Sequence, residues 1–291
     1  MVQPSRTAAG YRLYDDESIA RLVAMRHLVN AEGWRPSQAA ERVLTAGADL
    51  ELLSRGAPGV PGVSSPAAAD EQAAAMARWS EFGVDAFVAA AQRLDVPAME
   101  RVLDESFAAQ RFELAMDAVV FPALRAIGAA WAAGEVDVGV EHAASETVRR
   151  RLARFFDAAG RPDRIPKVIV GLPSAGQHEI GAFAFAVAGR RLGLDVLYLG
   201  ANVPLESWLR TVRETAASVV VLGVVTPSDV VAATLVVEAL GAMARSPRCL
   251  LGGSSARDLP EVLGASWLPD SLADAAEALA EIVGSVRARA G

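Results

Sequence analysis

The chain has 291 residues, 52% of them hydrophobic and 22% charged, so it can bury the cores of two or three compact units and is not a disordered chain. The 35 acidic residues against 28 basic ones give a formal charge of -7, which argues against a protein whose main work is gripping a nucleic-acid backbone. The sole cysteine, Cys249, excludes an internal disulfide and a cysteine-rich zinc site. Three histidines, His27, His142 and His178, leave few places to hold a metal or to run acid–base chemistry near neutrality.

No charged segment followed by an apolar run opens the sequence, and no uninterrupted apolar stretch reaches the length of a membrane span, so a cytoplasmic protein without a membrane partner is the default expectation. Residues 1–55 carry short helical patterns. Asp15 and Asp16 precede an apolar-periodic run through Ile19, Leu22, Val23, Met25, Leu28 and Val29, which Gly33 ends. A second helix starts at Arg35-Pro36-Ser37, with Ser37 as its cap. Residues 56–70 are rich in Gly, Pro and Ser without a period and read as a linker.

Residues 71–160 are helical throughout, with apolar positions recurring at three and four. Breaks at Val96-Pro97, Ala108 to Gln110 and Gly134 to Gly139 divide them into four helices, an antiparallel bundle. Over residues 161–291 the pattern changes to strands alternating with helices. Lys167 to Leu172, Val196 to Leu199, Val219 to Val225 and Arg248 to Leu251 are short apolar runs, and Ala265 to Leu268 is a weaker fifth. The expectation is an α/β, flavodoxin-like (Rossmann-like) parallel sheet, which presents its ligand in the loops beyond the C-terminal strand ends.

The first such loop, Pro173 to Gly181, holds Gln177 and His178 but no dinucleotide-type glycine fingerprint, so a nicotinamide cofactor is not expected. The loop after the second strand contains Gly200 and Asn202, and the loop after the fourth contains Gly252-Gly253. Glycines there let a large ligand press against the backbone, although each is also ordinary turn chemistry; three such loops on one sheet edge favour a ligand site.

These residues resemble the cobalamin-binding domain shared with methionine synthase and coenzyme-dependent mutases. The resemblance rests on His178 and Gly181 after the first strand, Gly223, Val225 and Thr226 at the end of the third, and Gly252-Gly253 after the fourth. It implies that His178 is the lower axial ligand to cobalt and that the displaced nucleotide base lies in a slot beside the third strand. Two residues depart from that pattern. Gly176 stands where a carboxylate usually supports the histidine, and Gly223 stands where a serine is common. A carboxylate there would orient the imidazole and raise its basicity, so a weaker cobalt–imidazole bond is expected. Ser174, water or a backbone carbonyl are open substitutes.

In the bundle, Trp131 is followed nine residues later by Glu141-His142. This spacing resembles the cap of cobalamin-dependent photoreceptors of the CarH/LitR type, and it implies that Trp131, Glu141 and His142 cover the upper axial face and hold the adenosyl group of adenosylcobalamin. Many such photoreceptors carry a histidine directly after the tryptophan. Here Ala132 stands there, so a bis-histidine state after illumination is not expected unless His142 moves in.

At the front, Gly10-Tyr11-Arg12-Leu13-Tyr14-Asp15-Asp16-Glu17 resembles the second half of a MerR-type winged helix-turn-helix, without the helix that reads DNA. Seven arginines against seven acids leave residues 1–55 neutral, which does not favour DNA binding. Photocobilins, which resemble these photoreceptors and pair cobalamin with a bilin, are a branch that fits such a remnant. That resemblance implies a noncovalent bilin such as biliverdin, with His27, Tyr11, Tyr14, Trp34 and arginines as candidate lining; the plainer and preferred reading of His27 is a helix-face residue of a vestigial fold.

The whole points to a light sensor rather than an enzyme. Photolysis of its adenosylcobalamin would change bundle packing and the assembly of a homo-oligomer, and so signal to an effector protein. The alternative is a corrinoid methyl-carrier subunit of a methyltransferase system, which shares the histidine loop, the glycine loops and a preceding bundle; the Trp131 and Glu141-His142 pattern favours the sensor over it.

Overall fold

A computed structural model describes residues 5–6, 12–13, 21, 24, 28, 36–45, 66–160, 167–259 and 264–290. The chain divides into two units, Met1–Ala74 and Ala75–Gly291. In the first, β1 (Ser5–Arg6) and β2 (Arg12–Leu13) pair antiparallel, and Ala24 and Leu28 are buried helical residues four apart. Helix α1 (Pro36–Thr45) begins at the proline, whose fixed φ suits a first turn, so Ser37 lies inside the helix rather than capping it. Its Ala39 and Val43 are buried at helical spacing.

The linker expected to residue 70 gives way earlier, because α2 (Pro66–Gln92) again opens on a proline; residues 56–65 lie outside the described residues. Three more helices follow: α3 (Val96–Ala109), α4 (Phe112–Ala132) and α5 (Val138–Ala158). Asp95 caps α3 by accepting from the Ala98 N–H at 3.0 Å, and Asp137 caps α5 by accepting from the Gly139 N–H at 2.7 Å. Helix α4 contains a wider π-type turn at Met116–Val120. It is long and apolar enough to cross a membrane by composition, but Phe112, Met116, Val120, Ala123 and Ile127 form its buried face in the core shared with the other helices.

The α/β part runs β3 (Lys167–Pro173), α6 (Ile180–Arg191), β4 (Asp195–Val203), α7 (Leu205–Thr215), β5 (Val219–Gly223), α8 (Pro227–Gly241), β6 (Arg248–Gly252), β7 (Ser266–Trp267) and α9 (Leu272–Ala290). The five strands are parallel in the order β4-β3-β5-β6-β7, the flavodoxin-type order expected. Val168 and Val170 of β3 face the core made with α6, α9 and the bundle, while Ile169 faces the core made with α7 and α8. Burial on both faces explains why the central strands read as continuous apolar runs.

The bundle is joined to the sheet domain by polar as well as apolar contacts. Asp117, in the wide turn of α4, accepts from the backbone N–H groups of Leu272 and Ala273 at 3.0 and 3.3 Å, satisfying two orphan donors at the start of α9. The buried Arg190 of α6 donates to the Phe156 carbonyl of α5 at 3.2 Å and lies 3.4 Å over its ring.

Candidate functional site

The ligand loops converge because the strand ends are in register. Gly171 of β3 lies opposite Gly200 of β4 and Leu222 of β5, and Gly223 lies opposite Gly252 of β6. Gly200, the His178 loop, Gly223 and Gly252 therefore form one row along the C-terminal edge of the sheet.

The loop that carries His178 is clamped from β4. Ala175 takes a positive φ of 68°, and its N–H donates to Asn202 Oδ1 at 2.8 Å. The Asn202 N–H donates to the Gly176 carbonyl at 2.9 Å. Asn202 thus holds the loop with both its side chain and its main chain, a role that no sequence pattern displays. Gln177 and His178 stand exposed at the tip, and no hydrogen bond to the His178 ring is found among the described residues. Gly176 is buried: a Cβ there would lie 3.1 Å from Leu172 Cβ and 3.1 Å from the Pro173 carbonyl oxygen. Packing by Leu172 thus accounts for the glycine where a carboxylate is usual. Ser174, one of the open substitutes, turns its hydroxyl to the Val203 carbonyl at 3.4 Å. The carboxylate nearest in sequence to the histidine is Glu179, which accepts from the Tyr198 hydroxyl at 2.8 Å.

On the other side of β3, Gly223 is buried. A Cβ on it would meet Leu172 Cγ at 3.2 Å and Ala182 Cβ at 3.4 Å, so the space beside this strand is narrow and floored by Leu172, which the sequence pattern did not single out. The following turn is locked. Asp229, 2% exposed, accepts from the Val225 and Thr226 N–H groups at 3.0 and 2.9 Å, and Ser254 donates to the Val225 carbonyl at 2.6 Å. Gly253 has φ 114°, and a Cβ on it would lie 2.4 Å from the Val224 carbonyl oxygen. Only glycine fits there. Gly252 is half-buried, Gly181 is exposed with open space around it, and Gly200 has φ 84°.

The remaining three residues lie where α4 ends and α5 begins. Trp131 is 48% exposed in the last turn of α4. The His142 Nδ1 lies 2.7 Å from Glu141 Oε2, and Ser145 donates to Glu141 Oε1 at 2.6 Å. The His142 side chain is 73% exposed. No ring contact joins Trp131 to His142 among the described residues. The position of this cluster relative to the sheet follows from α5. Its Arg149 lies close enough to Glu179, at the start of α6, for their charges to attract, and its Phe156 packs on Phe183 further along α6. Helix α5 therefore runs alongside α6, and its first turns project beyond the strand ends. The stretch from His142 to Arg149 is about 10 Å of helix.

Among the described residues no group of three His, Cys, Asp or Glu side chains could hold a metal ion. An exposed His178 can serve a metal only where a cofactor supplies the other ligands. A glycine-lined row around one exposed imidazole suits a group, such as a corrinoid, that brings its own ring of metal ligands. The bilin candidates Tyr11, Tyr14, His27 and Trp34 lie outside the described residues. Burial pushes the Cys249 thiol up to about 11, which removes the thiolate that covalent attachment of such a pigment would need.

Comparison with known proteins agrees with this chemistry. The family model of a B12 binding domain matches residues 84–155, the bundle that carries Trp131, Glu141 and His142. The HTH-type transcriptional repressor CarH of Myxococcus xanthus is 34% identical over 214 residues, which cover 73% of this chain and 66% of the repressor. The chain is a CarH-like cobalamin-binding protein. It spans just under two thirds of that repressor's length. The repressor CarA of the same organism is 27% identical over 252 residues, 85% of this chain and 75% of CarA. Among solved structures, the monomethylamine corrinoid protein of Methanosarcina barkeri is similar in fold, with a TM-score of 0.57 at 15% identity, covering 67% of this chain and 96% of that one. The CarH-like chain thus shares its fold with a corrinoid protein and its sequence with two transcriptional repressors.

Proposed function

We propose that this CarH-like protein is a cytoplasmic light-responsive regulator that binds adenosylcobalamin and changes its assembly when illuminated. The observation that carries the reading is the pairing of two sites along α5. The exposed Trp131 and His142, with the half-buried Glu141 between them in sequence, lie where α4 ends and α5 begins, and His178 stands exposed in the glycine-lined row at the strand ends. Bound adenosylcobalamin would supply a cobalt–carbon bond that light cleaves. His178 would hold the cobalt from below. Gly252 and Gly253 would give the cofactor close approach to the backbone, the Val225–Thr226 turn, fixed by Asp229, would line that approach, and the buried Gly223 would make room for Leu172 beneath it. Trp131 would cover the adenosyl group, and Glu141 would orient the His142 ring through their hydrogen bond. Since α5 also packs on α6, a rearrangement at its first turns is transmitted to the sheet domain.

The similarity to two repressors supports a regulatory role over an enzymatic one, and any DNA or effector contact belongs to this proposal. The test is the absorption spectrum and elution volume of protein loaded in the dark with adenosylcobalamin, before and after green light. A light-driven spectral change with a shifted elution volume is expected. Equal elution volumes and preferential uptake of methylcobalamin, with loss of its methyl group to a thiol, would instead support a methyl carrier.

A further inference from the structure

Tyr198 lies within β4, in a segment that sequence pattern marks only as strand. Its ring stacks on Phe183 of α6, 4.6 Å between centroids at 8°, and meets Phe156 of α5 edge-on at 6.3 Å. Its hydroxyl donates to Glu179 Oε2 at 2.8 Å. Burial above all, then the bond to Glu179, pushes the ionisation of this hydroxyl well above its ordinary range, so it remains a donor at any working pH. Arg149 of α5 adds its positive charge beside the same pair.

Glu179 directly follows His178. Its N–H donates to the Gln177 carbonyl at 2.9 Å, and its own carbonyl accepts from the Phe183 N–H at 2.8 Å. Both the backbone and the side chain of the residue after His178 are therefore held. On the near side of the histidine the residue two positions earlier is Gly176, which has no side chain to offer. We propose that Tyr198 is a positioning residue for His178. By gripping Glu179 its hydroxyl sets the orientation of the histidine loop, and by packing against Phe156 its ring couples that loop to α5, whose first turns carry Glu141 and His142. This inference rests on the reading of His178 as the cobalt ligand.

The experiment uses the full chain loaded with cobalamin and reduced to the cobalt(II) state, in which an axial nitrogen splits the electron-spin-resonance lines. Wild-type protein should show that splitting and His178→Ala should not. A wild type without splitting, or a His178→Ala variant that keeps it, overturns the cobalt-ligand reading and this inference with it. Given the expected pattern, Tyr198→Phe keeps the ring stack and removes only the hydroxyl. It should bind cobalamin at the same stoichiometry while its ratio of imidazole-on to imidazole-off cobalt falls about tenfold. Glu179→Gln, which retains an acceptor, should lose less than Tyr198→Phe. Glu179→Ala should match Tyr198→Phe, and the double variant should be no worse than either single one. A wild-type ratio in Tyr198→Phe, or additive losses in the double variant, overturns the positioning role while leaving His178 as the ligand.

Discussion

The Nδ1 atom of His142 sits 2.7 Å from Oε2 of Glu141, its immediate neighbour on the same helix, while the imidazole remains 73% exposed. Glu141 is held in turn by Ser145. The bond to Glu141 engages only Nδ1 of His142 and leaves Nε2 free, so the placement of the ring on α5, and not the bond itself, is what would keep His142 from a metal. Ala132, directly after Trp131, has no ligating side chain, so if adenosylcobalamin binds and loses its adenosyl group in light, solvent rather than a protein side chain would replace that group. His142→Ala should therefore leave the spectrum of the illuminated protein unchanged and alter only the rate of photolysis or the dark affinity. Dark and illuminated spectra of both proteins check this, and an illuminated spectrum that changes in the variant would show that His142 does move onto cobalt.

Gly253 and Gly200 both have positive φ, yet they should respond differently to substitution. At Gly253 a Cβ would lie 2.4 Å from a backbone oxygen that cannot yield without moving β5. At Gly200 the nearest atom would be Glu179 Oε2 at 3.8 Å. Gly200→Ala should cost about 1 kcal/mol from backbone strain alone. Gly253→Ala should cost about 3 kcal/mol or more and lower cobalamin affinity as the loop shifts. Urea denaturation and a binding titration on the two variants measure the contrast.

How far the sequence already displays this arrangement depends on the range of the interaction. The strands are legible because β3, β5 and β6 are buried on both faces and must be apolar throughout; so is the row of ligand loops, since parallel topology puts those loops on one edge. The four helices are legible from their periodicity and from the breaks at Val96-Pro97, Ala108 to Gln110 and Gly134 to Gly139, whereas the caps Asp95 and Asp137 emerge only in the structure. The long-range pairings are not. Asp117 caps a helix 155 residues away, and Tyr198 reaches Glu179 across a crossover helix. Neither pairing leaves a local pattern, because each partner is chosen by packing. Leu172 is hidden for the opposite reason: it looks like any strand residue, yet it is what Gly176 and Gly223 both meet.

Cys249 gives the fold a pH dependence whose sign can be worked out. Its thiol ionises near 9 when unhindered and at about 11 when buried in the folded chain. Above pH 9 the unfolded chain therefore releases a proton that the folded chain keeps, so stability falls as pH rises through this window and is unaffected below it. The urea midpoint should drop between pH 8.5 and 10.5, by an amount on the order of 1–2 kcal/mol in unfolding free energy, and less so in Cys249→Ala. A thiol reagent at pH 8 should label the wild type only after unfolding. Rapid labelling of the native protein, or an equal pH slope in the variant, would contradict the burial of this thiol.

The missing carboxylate behind His178 can be restored, and the packing of Leu172 predicts how. In Gly176→Asp the new Cβ meets both Leu172 and the Pro173 carbonyl at 3.1 Å. The backbone oxygen and Leu172 Cβ stay in place in any shorter side chain, but Leu172 Cδ2, which the new Cβ would meet at 3.3 Å, can be removed. The single variant should fold less stably than wild type by about 1–2 kcal/mol, because the inserted atoms overpack a buried turn. Leu172→Val alone should also lose stability, by about 1 kcal/mol, through the gap it leaves. The two changes occupy the same space, so the double variant should be more stable than the sum of the separate losses implies. Only in the double variant is a carboxylate free to settle toward the His178 loop, where it would raise the basicity of the imidazole. The double variant should accordingly hold a larger share of its cobalamin with imidazole on cobalt than the wild type does. Denaturation curves report the coupling and the cobalt(II) resonance reports the ligand. Strictly additive stability losses would mean that Leu172 is not what excludes the carboxylate from position 176.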